Sequence, residues 1–173
     1  MLQRWNVYCD ALVSLYRWTL DRPKLGSNAG ALEPELFEIP KKMSNKAILC
    51  VDDELIILET LVEQLEKKLG SEYIYETAET GKEGLEVIEE LVNDNVDILI
   101  IVSDWLMPGM KGDEFLIKVH QQFPEIVTVL LTGQANEESI IHAKRSANLH
   151  ACLFKPWSEE ELVRIIKTGL GKL

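Results

Sequence analysis

The sequence predicts an α/β domain, a doubly wound parallel sheet covered by helices on both faces. Two observations carry this. From Lys46 onward, five short apolar runs alternate with five stretches of helical periodicity. The runs are nearly continuous in apolar character, as strands buried on both faces are.

Each element follows from its residues. Ala47-Ile48-Leu49-Cys50-Val51 is the first strand, and Leu55, Leu58, Leu61, Val62, Leu65 and Leu69 then keep helical spacing until Gly70 stops the helix. Tyr73 to Thr77 is the second strand, and Leu85, Val87, Ile88 and Leu91 mark the second helix. Asp97 to Val102 holds Ile-Leu-Ile-Ile-Val, the strongest candidate for a fully buried strand. A third helix covers Asp113 to Gln122, closed by Pro124. Ile126 to Leu131 is strand four, a more polar helix spans Glu137 to Ala147, and Ala151 to Phe154 is strand five. Ser158 caps the last helix, Glu161 completes a capping box, and Leu162, Val163, Ile165, Ile166 and Leu170 form its apolar stripe.

Composition narrows the function. The 173 residues suffice for one ordinary domain with some to spare, and 46% hydrophobic with 27% charged residues is globular. Eighteen Lys and Arg against 29 Asp and Glu leave a formal charge of -11. A surface that acidic repels phosphate backbones and anionic lipid, so no direct nucleic-acid or membrane-surface binding is expected. No apolar run is long enough for a membrane span. Arg4 precedes an apolar stretch from Ala11 to Leu20, but Asp10 and Arg17 interrupt it and no small-residue cleavage site follows. Cys9, Cys50 and Cys152 are too few and too scattered for a disulfide framework or a zinc site, which suits a reducing cytoplasm.

The charge divides the chain. Residues 1–43 carry a net +1 and residues 44–173 a net -12. Pro23, Gly26, Gly30, Pro34 and Pro40 read as a linker, and Trp5, Tyr8, Leu12, Leu15 and Tyr16 recur at helical spacing before it. The expected organisation is an N-terminal extension over 1–43, a short helix plus flexible linker, and one domain over 44–173. Met43 directly precedes the first strand, as a natural start would, and is a candidate initiator that would make residues 1–42 a mis-called start.

In open parallel sheets the binding crevice lies at the carboxyl ends of the strands. Strand one is followed there by Asp52-Asp53-Glu54, strand three by Ser103 and Asp104, strand four by Thr132 and strand five by Lys155 and Pro156. Two carboxylates ~4 Å apart repel by roughly 4 kcal/mol at an effective dielectric of 20. Such a cluster takes up protons or holds a hard divalent cation, and Mg2+ suits carboxylate and phosphate oxygens. With the cation on Asp52, Asp53 and Asp104, a free oxygen of Asp104 could attack a phosphoryl group while Thr132 and Lys155 hold its other oxygens. The nucleophile is ionised at neutral pH, so no strong base is needed.

Residues 46–170 resemble a response-regulator receiver domain of two-component signalling. The residues carrying the resemblance are Val51-Asp52-Asp53-Glu54, Ser103-Asp104-Trp105-Leu106-Met107-Pro108-Gly109, Leu131-Thr132-Gly133 and Phe154-Lys155-Pro156-Trp157. The resemblance implies a flavodoxin-like (βα)5 fold with strand order 2-1-3-4-5. It implies Asp104 as phosphoacceptor, Asp52, Asp53, Asp104 and the Leu106 backbone carbonyl as ligands of Mg2+ or Mn2+, Thr132 as switch hydroxyl and Lys155 as the phosphoryl-pairing lysine. It further implies a cis Lys155-Pro156 peptide, a mobile loop through Gly109 and Gly112, and tuning of dephosphorylation at Leu106 and Gln134. One position departs from the family: three residues before the lysine, where many members carry Tyr or Phe, stands Cys152.

The bland reading of Asp104 as a mere turn residue is weak beside Asp52, Asp53 and Lys155, whereas the remaining candidates read as structural. His120, His142 and His150 are isolated, Trp105 and Trp157 read as packing around the site, Cys50 and Cys152 as core residues, and Glu159-Glu160-Glu161 as a solvated first helical turn. The expected function is a cytoplasmic, phosphorylation-dependent switch, a stand-alone receiver rather than an enzyme on external substrates. Its expected partners are a sensor histidine kinase or phosphotransfer protein and a downstream protein. The rivals are a receiver-like scaffold that binds without phosphorylation and a metal-dependent phosphohydrolase.

Overall fold

The computed structural model describes residues 45–133, 141 and 144–171. The expected N-terminal helix and linker, Gln134, His142 and most of the helix expected over Glu137 to Ala147 lie outside these residues; Ile141 and residues 144–146 are helical. The elements are β1 (Lys46–Val51), α1 (Leu55–Leu69), β2 (Ile74–Ala78), α2 (Gly81–Asn93), β3 (Asp97–Asp104), α3 (Gly112–Gln122), β4 (Val127–Thr132), β5 (Ala151–Phe154) and α4 (Glu159–Leu170). The sheet is wholly parallel, in the order β2-β1-β3-β4-β5. This is the expected doubly wound fold.

Side-chain alternation sends the strands' residues to two cores. Ala47, Leu49, Val51, Ile101 and Leu130 meet Ile88, Leu91, Phe115 and Leu116 of α2 and α3. Ile48, Cys50, Ile100, Val102, Val129 and Leu131 meet Leu58, Leu61 and Leu65 of α1 and Leu162 and Ile166 of α4. Both faces are thus dry, which is why the strands read as unbroken apolar runs rather than alternations.

The boundaries differ from expectation where pairing or capping decides them. Strand β3 runs through Ser103 and Asp104 because these residues pair with Leu130 and Leu131 of β4. Strand β2 lies one residue later than expected, with Ile74 opposite Ala47 and Ala78 opposite Val51. Helix α2 begins at Gly81, since the Thr80 hydroxyl accepts from the Glu83 N–H at 3.1 Å and the Glu83 carboxylate accepts from the Glu79 N–H at 2.8 Å. Helix α4 starts as read, with Ser158 Oγ accepting from Glu161 N–H at 3.2 Å. Gly70 ends α1 at φ 73, a left-handed conformation that costs glycine least.

Candidate functional site

The carboxyl ends of β1, β3, β4 and β5 form one rim because the strands are parallel and in register. Asp104 closes β3 opposite Leu131, and Thr132 is the next residue of β4, itself opposite Phe154 of β5. Asp52 follows the last residue of β1, its N–H donating to the Ala78 carbonyl at 3.1 Å. Lys155 follows the last residue of β5, its N–H donating to the Thr132 carbonyl at 2.8 Å. The Lys155-Pro156 peptide is cis, as expected.

The Lys155 ammonium bridges the two buried carboxylates, 2.7 Å from Asp52 Oδ2 and 2.6 Å from Asp104 Oδ1. The remaining oxygens are also engaged: Asp52 Oδ1 accepts from Glu54 N–H at 3.0 Å and Asp104 Oδ2 from Leu106 N–H at 2.7 Å. Asp52 is fully buried and Thr132 nearly so. Burial holds the Asp52 carboxyl above its ordinary range, with the Lys155 bond, the Glu54 N–H and the Lys155 charge opposing it. Burial pulls the Lys155 ammonium down, but the bonds to Asp104 and Asp52 outweigh it and leave it raised.

The expected cation set is not pre-gathered. Among the described residues no group of three or more His, Cys, Asp or Glu side chains stands arranged as a metal cage. The reason is visible: Lys155 sits between Asp52 and Asp104, and Asp53 is exposed. The donor set nevertheless fits a hard divalent ion. Asp52 and Asp104 share one ammonium and Asp53 adds a third carboxylate next in the chain, so by formal charge the strand ends carry two more carboxylates than ammonium groups, all oxygen donors. The Leu106 side chain is 62% exposed beside the acceptor.

The surroundings explain the geometry of Asp104. Trp105 is nearly buried in the α2/α3 core and its N–H bonds the Leu131 carbonyl at 2.9 Å, so the backbone just past the acceptor is anchored. Its indole nitrogen finds no hydrogen-bond partner among the described residues. Gly109 takes φ 82 in the turn after Pro108, and the Gly112 N–H closes the loop onto the Trp105 carbonyl at 2.9 Å. A side chain at Gly112 would collide with the Asp104 carbonyl oxygen. Cys152 occupies the position expected for an aromatic residue, half-buried opposite Leu130 and against the α2/α3 core.

One reading is extended and one corrected. Trp157 packs against the α1/α4 core as expected, and its Nε1–H also donates to Gln64 Oε1 of α1 at 3.0 Å. Glu159 is not merely solvated, because it pairs with Lys68 at 2.9 Å and Lys67 at 3.0 Å, which together hold its carboxyl below the ordinary range. Both contacts join residues far apart in the chain, and no local pattern announces them. Of the histidines, His150 Nε2 lies 3.1 Å from Thr168 Oγ1 and 3.2 Å from the Ile165 carbonyl, away from the rim.

A parallel sheet in the order β2-β1-β3-β4-β5, with two aspartates and a lysine meeting at its strand ends, is a doubly wound α/β domain whose site lies at the carboxyl ends of its strands. The family model of the response regulator receiver domain matches residues 48–167, and the chain belongs to that family. It is 28% identical over 130 residues to the hydrogenase transcriptional regulatory protein HoxA of Cupriavidus necator, covering 74% of this chain and 25% of that protein. It is also 28% identical over 120 residues to the chemotaxis protein CheY-3 of Vibrio cholerae, covering 68% of this chain and 86% of that one. Among solved structures it resembles a CheY-like receiver domain protein of Methanospirillum hungatei, at 32% identity and a TM-score of 0.64 over 73% of this chain and 94% of that chain. The chain thus spans about a quarter of the regulator HoxA and most of the chemotaxis protein. Receiver domains are phosphorylation-dependent signalling switches, and this membership favours the switch over the phosphorylation-independent scaffold. Among the described residues no helix is long and apolar enough to cross a membrane.

Proposed function

We propose that this receiver accepts a phosphoryl group on Asp104 from a sensor histidine kinase or phosphotransfer protein. In this reading it acts as a cytoplasmic switch and not as an enzyme on external substrates. The supporting observation is the Lys155 ammonium held between the buried Asp52 and Asp104 carboxylates. An Asp104 oxygen attacks phosphorus, the bond from phosphorus to the donor's imidazole nitrogen breaks, and its electron pair returns to the ring. Lys155 follows the negative charge onto the phosphoryl oxygens, and the Thr132 hydroxyl donates to another. Asp52, Asp53, Asp104 and the Leu106 carbonyl are the groups that would hold Mg2+ or Mn2+, which supplies charge neutralisation for the phosphoryl oxygens. The new charge then biases two conformations, and about 5.5 kcal/mol of differential stabilisation carries a 1:99 population to 99:1. Two charge-assisted contacts supply a good part of that.

The test is acetyl phosphate with Mg2+, read by intact mass and by tryptophan fluorescence, since Trp105 adjoins the acceptor. The expected result is the mass of one phosphoryl group on the wild-type chain and none on Asp104→Asn. No mass gain in the wild type, or an equal gain in the variant, rejects Asp104 as acceptor.

A further inference from the structure

The loop that carries Lys155 leaves the sheet just after the Lys155 N–H, which donates to the Thr132 carbonyl of β4 at 2.8 Å. Strand β5 is four residues long and lies at the sheet edge, paired with β4 alone. Beyond Lys155 the chain is tied to α1. Two residues past Lys155, the Trp157 indole N–H donates to Gln64 Oε1 at 3.0 Å, and two residues further Glu159 pairs with Lys67 and Lys68. Both ends of this tie lead back to the site, because α1 begins just after Asp52-Asp53-Glu54. Asp52, Lys155, Trp157 and Gln64 therefore close a ring: a 2.7 Å ion pair on one side, a 3.0 Å hydrogen bond on the other, α1 and the short loop between them.

The ring separates two roles of Trp157. Its carbon framework packs against the α1/α4 core, which any aromatic ring would do. The N–H requires an acceptor, and Gln64 provides it. We propose that Gln64 is a positioning residue for phosphoryl transfer, acting through the Trp157 indole to hold the Lys155 ammonium at the distance the reaction needs. The inference rests on the phosphoacceptor reading of Asp104. Gln64 touches none of the reacting groups; its effect passes through the loop.

The experiment uses the full chain, acetyl phosphate and Mg2+, with intact mass followed over time at several donor concentrations. Gln64→Leu keeps the apolar body and removes the acceptor, Gln64→Glu keeps an acceptor, and each is also made with Lys155→Met. In Gln64→Leu the saturating rate is expected to fall about fivefold, which corresponds to about 1 kcal/mol and the usual strength of one neutral hydrogen bond. The half-saturating donor concentration stays unchanged, and Gln64→Glu restores the rate. With Lys155→Met, Gln64→Leu causes no further fall, since the lysine it positions is gone. Trp157→Phe removes only the donor and is read the same way should Gln64→Leu fail to fold. An unchanged saturating rate in the acceptor- or donor-less variant overturns the inference, as does the same fall with and without Lys155. A wild-type chain that gains no phosphoryl mass overturns the Asp104 reading and this inference together, whereas a phosphorylated wild type with an indifferent Gln64 overturns this inference alone.

Discussion

Replacing Lys155 with methionine isolates the charge balance of the rim. Methionine keeps much of the stem and removes the ammonium that stands 2.7 Å from Asp52 Oδ2 and 2.6 Å from Asp104 Oδ1. Those lengths put the two carboxylate oxygens at most about 5 Å apart, so their mutual repulsion is at least about 3 kcal/mol at an effective dielectric of 20. Breaking a buried pair from one side costs about 3–5 kcal/mol, and the 19% exposure of the lysine side chain sets this case at the lower end. Lys155→Met is therefore expected to lose about 3 kcal/mol of unfolding free energy in urea at neutral pH with chelator present. The sign of the pH dependence follows from Asp52. Burial already raises its carboxyl, and the variant loses the Lys155 bond that opposed this. A raised carboxyl contributes stability below its unfolded pKa that is lost as pH rises through the folded one, so the deficit should shrink as pH falls toward about 4. Mg2+ should stabilise the variant more than the wild type, because the ammonium no longer competes for Asp52 and Asp104. Equal deficits at both pH values, together with equal stabilisation by Mg2+, would refute the reasoning.

Gly112→Ala places a methyl against the Asp104 carbonyl and 3.0 Å from Ser103 Oγ, and is expected to cost about 2–3 kcal/mol in urea unfolding and to slow phosphorylation; a loss under about 0.5 kcal/mol would contradict the close approach. Glu76 is half-buried on β2, its carboxyl raised by burial and then by Glu90. Glu76→Gln should stabilise the chain at neutral pH, with the gain fading as pH falls below the raised native pKa, where the wild-type carboxyl is itself neutral; thermal melts across that range measure it. Cys50 is fully buried, its thiol pushed up to about 12 by burial and the Asp52 charge, whereas Cys152 is half-buried. Thiol labelling of the native chain, mapped by peptide mass, should reach Cys152 first and Cys50 only on unfolding; early modification of Cys50 would contradict the packing.

The apolar runs of β1, β3 and β4 and the helical spacing of α1 and α4 were legible because near neighbours decide them. Each strand needs apolar side chains on both faces, and each amphipathic helix must repeat its apolar positions about every 3.6 residues. Boundaries set by a partner were less legible. Ser103 and Asp104 look like loop residues, and their inclusion in β3 depends on the presence of β4 beside them. The start of α2 could have been read from Thr80 and Glu83, which are spaced as a helix cap.

The sequence by itself determined the fold class and the chemistry of the rim, since a parallel α/β sheet puts its strand ends on one side and those ends carry Asp52, Asp53, Asp104, Thr132 and Lys155. Tertiary structure alone decided which of them meet. Lys155 and Asp52 are 103 residues apart, and strand order and register bring the ammonium between two carboxylates while Asp53 faces solvent. The same holds for Trp157 and Gln64, 93 residues apart. Periodicity records what each residue needs from its neighbours; a contact across the sheet depends on how whole elements stack, which no local pattern encodes.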